Sequence, residues 1–101
     1  MSMTTDSDHQ ALDMNIGRIV EMYFLAEIEL PEAKSDLMTL FGGPHPASIS
    51  DALKVYLSRM LVQTRQGDLD AGEVRVDLVR LAGLAHAHDP DFIARIRQDQ
   101  A

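Results

Sequence analysis

The densest run of side chains able to do chemistry is His86-Ala87-His88-Asp89-Pro90-Asp91. Imidazole nitrogens and carboxylate oxygens bind divalent metals, so His86, His88 and Asp89 are the candidate metal or small-ligand residues. Their spacing argues against a ready-made site. Two residues apart on a helix, His86 and His88 point about 160° away from each other. They converge only if the helix has unwound by His86, and a stable site needs further ligands such as His45 or Glu27. A purely structural account covers the same residues. Imidazoles near a helix C-terminus meet its negative end favourably, and Asp-Pro-Asp is a helix start. A histidine pH switch is a third use of the same run. The structural account is preferred, so no metal and no cofactor is expected.

Other chemistry is poorly served. There is no cysteine, which excludes disulfides, thiolate metal sites and cysteine nucleophiles. Serine, histidine and acids are present, but not in a nucleophile elbow or an HExxH motif. The Gly42–Ser48 stretch, GGPHPAS, has a glycine pair but lacks both GxxxxGK[ST] and GxGxxG. His45 stands between two prolines on a stiff loop. Asp68, Asp70 and Gly72 faintly resemble the start of a calcium loop, but the glycine is one place early and Val79 takes the position of the bidentate glutamate. The chain is not expected to be an enzyme.

Charge narrows the partners. The formal net charge is −7 over 101 residues, which disfavours nonspecific binding to nucleic acid or to anionic membranes. Arg75, Arg80, Arg95 and Arg97 are interleaved with Asp77, Asp89, Asp91 and Asp99, the pattern of a salt-bridged solvated face. A DNA-reading helix starting at Asp70 would present DAGEVRVD, acidic where phosphate contacts belong. The N-terminus has neither the basic region nor the apolar core of a secretory signal. No stretch reaches eighteen uninterrupted apolar residues. The expectation is a soluble, cytoplasmic protein.

The elements that must position these residues read as helices. Residues 1–11 are small and polar and are expected to form a flexible tail, ahead of a single helical domain over 12–98. A first helix should start near Asp13 and run to Leu30, where Pro31 stops it. Its main face is Ile16, Ile19, Val20, Tyr23, Ala26 and Leu30, with Glu27 projecting toward that face. A second helix follows from Pro31, buries Ala33, Leu37, Leu40 and Phe41, and ends at Gly42-Gly43. A third, capped by Ser48 or Ser50, buries Ile49, Leu53, Tyr56, Met60 and Thr64 and ends at Gly67. A fourth is capped by Asp70 with Glu73 completing the box and Leu69 and Val74 as staple. A fifth opens at Asp89-Pro90 and is anchored by Phe92, Ile93 and Ile96. This is an all-α bundle of four to five helices with short connections.

The organising stretch is Ile16–Leu30. Its apolar residues do not keep to one side, and a helix apolar nearly all round is covered on more than one side. Met22, Phe24, Leu25 and Ile28, together with a narrow ridge of Val55 and Val62 on the third helix, are the candidate interface. The function they suggest is a small acidic, noncatalytic protein–protein interaction module, a regulatory or accessory subunit. It would contact a protein partner or itself, as a homo-oligomer. The alternative is a metal- or small-ligand-binding helical protein using the HAHD segment.

Overall fold

The computed structural model describes residues 3–98, with side chains from Gln10 onward. Among these residues there are five helices and no strand: α1 (Met3–Phe24), α2 (Leu30–Leu40), α3 (Ala47–Gln66), α4 (Ala71–His86) and α5 (Pro90–Gln98). The all-α architecture read from periodicity is therefore the architecture found. No helix among the described residues is long and apolar enough to cross a membrane.

The core is built from one stripe of each helix. Ile16, Val20 and Tyr23 of α1 meet Ala33, Leu37 and Phe41 of the α2 region. Leu53, Leu57 and Leu61 of α3 and Val74, Leu78, Leu81 and Ala82 of α4 complete the interior, closed by Phe92 and Ile96 of α5. These positions recur at three- and four-residue spacing, as one face of a helix must. α1 is the hub. It packs most extensively on α4 and also touches α2 and α3, whereas α3 and α4, although joined by a short turn, touch each other only lightly.

One close approach in that hub depends on a glycine. A Cβ on Gly17 would fall 2.7 Å from Nε of Arg75. The Arg75 guanidinium lies across the glycine and grips Asp13 with both arms, Nε to Oδ1 at 2.9 Å and Nη2 to Oδ2 at 3.0 Å. That hydrogen bonding, and then the charge of Asp13, holds the Arg75 pKa above its ordinary value.

Most helix ends follow local chemistry. Asp70 Oδ2 accepts from the Glu73 amide at 3.1 Å and caps α4. Asp89 Oδ1 accepts from the Asp91 amide at 2.9 Å, with Pro90 as the first residue of α5. Gly67, at φ 88°, closes α3 in the left-handed conformation. In the turn that it makes, the Gly67 amide reaches Thr64 O and the Asp68 amide reaches Gln63 O.

Three local expectations need correction. The α3 helix starts at Ala47, one residue ahead of Ser48, with Pro46 at the cap and no side-chain cap. Its first amides bond instead to the Pro46 carbonyl. Ile93 is 36% exposed and does not anchor α5, because Phe92 and Ile96 already fill the interior there. The first helix is displaced at both ends. Its backbone is helical from Met3, so the segment read as a tail up to Ala11 is largely helical; Met1 and Ser2 lie outside the described residues.

At its other end α1 stops at Phe24, well short of Leu30. The Ala26 amide bonds to Tyr23 O and the Glu27 amide to Met22 O, while Ala26 takes φ 62°. This is the six-to-one, five-to-two pairing of a left-handed helix terminus, with alanine where glycine is usual. The physical reason lies in two side chains. In a continued helix Glu27 would lie within about 20° of Ile16, on the buried face, and Ile28 about 120° away from it. The turn reverses both: Glu27 is exposed and Ile28 is buried. A left-handed alanine costs about 1–2 kcal/mol, whereas burying an unpaired carboxylate costs several.

Candidate functional site

The six residues expected to form an interface do not share one patch. Phe24 and Leu25 are 49% and 57% exposed, neighbours at the turn that ends α1. Ile28 is 8% exposed and belongs to the core cluster, so it is withdrawn from the surface. Met22 is half-buried and packs against that cluster. With Ile28, Ile19 and Leu40 it lines a groove of about 520 Å³ between α1 and α2, rimmed by Asn15, Arg18, Asp36 and Thr39. Val55 is 47% exposed and Val62 half-buried, on one ridge of α3. Val62 is about one turn from Arg65, which reaches the end of α1, and Val55 is about 10 Å further along the helix.

The turn at Phe24 is fixed from beneath. The Arg65 guanidinium lies 3.7 Å from the centre of the Tyr23 ring, and its Nη2 donates to the Tyr23 carbonyl. A cation at a helix C-terminus and over an aromatic face is favourable on both counts. Tyr23 itself is buried. Arg65 and the buried Tyr23 thus form the base beneath an exposed Phe24-Leu25-Ala26 knob. Glu21, Glu27 and Glu29 are all exposed beside it.

The histidines gather elsewhere. His86 Nε2 lies 2.8 Å from Leu40 O, and His45 Nε2 lies 3.2 Å from Phe41 O. A carbonyl oxygen only accepts, so in both rings Nε2 carries the proton. The two imidazoles tie α4 and the Pro44–Pro46 loop to the carbonyl end of α2. His45 also rests against Phe92, with ring centres 5.6 Å apart. Together with His88 they line a recess of about 430 Å³ over the Gly42–Pro46 loop. His88 also shapes the backbone. At φ 56° it forms the left-handed end of α4, with its amide on Ala85 O and that of Asp89 on Leu84 O.

Asp89 is occupied as the α5 cap. Among the described residues, no three His, Asp or Glu side chains are gathered closely enough to hold a metal ion. Of the two further ligands considered for such a site, Glu27 is exposed in the α1–α2 turn and His45 shares the recess with His86 and His88. What joins His86, His88 and Asp89 is helix termination and capping.

Sequence reasoning missed a polar clasp. The Tyr56 hydroxyl donates to Asp77 Oδ2 at 2.6 Å, and Arg95 donates to Asp77 Oδ1 at 2.5 Å. It joins α3, α4 and α5. In the sequence Asp77 and Arg95 are visible as part of a charged face, but Tyr56 is visible only as a core residue. Asp99, from the same charge pattern, lies outside the described residues.

No protein-family model matches the chain, and neither a characterised protein nor a solved structure is significantly similar to it.

Proposed function

We propose that this chain is a small acidic, noncatalytic protein–protein interaction module, acting as a regulatory or accessory cytoplasmic subunit through the knob at the end of α1. The observation that carries the reading is the pair Phe24 and Leu25, both about half exposed at a turn that Arg65 ties to α3. Turns are normally built from Gly, Pro, Asn, Asp and Ser. Large apolar side chains left half exposed there gain further when another surface covers them. Radical footprinting of the full chain in buffer and in a concentrated extract of its native host tests the reading. Protection of Phe24 and Leu25 in the extract, lost in the Phe24→Ser/Leu25→Ser variant, is the expected result. Equal labelling of both residues in buffer and extract would overturn it.

The second reading, a small-ligand protein using the HAHD segment, draws on the recess shared by His45, His86 and His88. Elemental analysis of untagged protein, with His86→Ala/His88→Ala as control, tests its metal-binding form. A stoichiometric metal lost in that variant would favour it over the interaction module.

A further inference from the structure

The outer face of α4 carries charges that the fold does not pair. The buried stripe of this helix, Val74, Leu78, Leu81 and Ala85, is turned to the core. On its other side Glu73, Val76 and Arg80 fall within about 60° of one another, and all three are exposed. They line one shallow surface recess with Asp70, Gly72 and Asp77. Val76 is 56% exposed in the middle of the helix. Glu73 lies three residues before it and Arg80 four residues after it. Being about 10 Å apart along the axis, the two charges do not reach each other. Neither side chain has an ionic partner among the described residues. The other acids of the recess are engaged already. Asp70 caps α4, and Asp77 is held by Tyr56 and Arg95.

We infer that this face of α4 pairs with the same face of a second copy of the chain, the two helices antiparallel about a two-fold axis beside Val76. An isologous contact brings each residue of one copy to its mirror position on the other. Glu73 of each copy then lies opposite Arg80 of the other, twice per dimer, with the two Val76 side chains meeting between the ion pairs. A parallel pairing would set glutamate against glutamate and arginine against arginine, which is costly. The face is thus its own complement in charge, and a second copy carries the matching spacing by construction. One valine and two exposed ion pairs make a small patch, so the dimer is a weak one. The inference goes beyond the proposed function and does not rest on it. Phe24 and Leu25 stand at the turn that ends α1 and take no part in this contact.

Sedimentation equilibrium of the full chain tests the pairing. The average mass should rise from monomer toward dimer between about 10 μM and about 1 mM. Glu73→Arg and Arg80→Glu should each weaken self-association at least about tenfold, because each sets like charges opposite one another. Both positions are exposed, so these substitutions leave the core untouched. The exchange Glu73→Arg/Arg80→Glu keeps the net charge at −7 and should restore the dimer to within about threefold of wild type. An equimolar mixture of the two single variants should form a heterodimer, since one then presents two arginines and the other two glutamates on this face. A wild-type chain still monomeric at about 1 mM would overturn the inference. So would a dimer that both single variants retain, or one that Phe24→Ser/Leu25→Ser abolishes, since either places the contact elsewhere. Single variants that dissociate, with neither the exchange nor the mixture associating again, would overturn it as well. The footprint of Phe24 and Leu25 in extract is decided independently of all four results.

Discussion

The Tyr56 hydroxyl donates to Asp77 Oδ2 at 2.6 Å, joining α3 to α4 at a point where Arg95 of α5 holds the other carboxylate oxygen. Burial raises the Tyr56 pKa above its ordinary 10.0, and the bond to Asp77 and that residue's negative charge raise it further. A folded-state value above the unfolded one gives a contribution that is complete below pH about 10 and lost as pH rises beyond it. Chemical denaturation at stepped alkaline pH should show stability falling from about pH 10 upward. Tyr56→Phe should flatten that fall. At neutral pH the same substitution should cost about 1 kcal/mol. Asp77→Ala should cost about 2 kcal/mol, because it strands both the hydroxyl and the guanidinium.

Two left-handed positions give opposite predictions. Ala26 at φ 62° carries a Cβ that this conformation disfavours. Ala26→Gly should raise stability by about 1 kcal/mol in a urea melt. Gly67 at φ 88° has nothing within 4 Å of where a Cβ would stand. Gly67→Ala therefore reads backbone strain alone and should lower stability by about 1 kcal/mol. Stabilisation by Gly67→Ala would show that the end of α3 is not held in this conformation.

The ends legible in the sequence are those whose chemistry is local. Asp70 with Glu73, Asp89 with Pro90, and Gly67 each carry the signal of a cap within four residues, and each does what that signal says. The end of α1 carries no such signal. Ala26 is a strong helix former, and Pro31 offers a plausible stop five residues later. The clue is a conflict: Glu27 falling on the buried face and Ile28 off it. Periodicity alone registers that conflict as an all-round apolar helix, whereas the tertiary fold resolves it by turning. The candidate site is legible in part for the same reason. Phe24 and Leu25 are recognisable as surplus apolar surface, but the burial of Ile28 requires the turn. The Tyr56–Asp77–Arg95 clasp joins residues from three helices, and no single-helix pattern contains it.

The histidines should behave as structural ties. His86→Ala removes the contact to Leu40 O and should cost about 0.5 kcal/mol in a thermal or urea melt. Gly42→Ala should cost more, because φ is 76° there and a Cβ would stand 3.2 Å from Cε1 of His86. Tight zinc binding by the wild-type chain, abolished by His86→Ala, would instead make the imidazole a ligand.

Ile16–Leu30 divides its apolar residues between a core that needs Ile28 and a surface that leaves Phe24 and Leu25 free. Urea denaturation of the isolated chain, comparing Ile28→Ala with Phe24→Ser/Leu25→Ser, tests that division most directly. Ile28→Ala should cost about 2–4 kcal/mol, and the double serine variant should stay within about 1 kcal/mol of wild type. If the serine pair costs as much as Ile28→Ala, those side chains belong to the core and the docking surface does not exist.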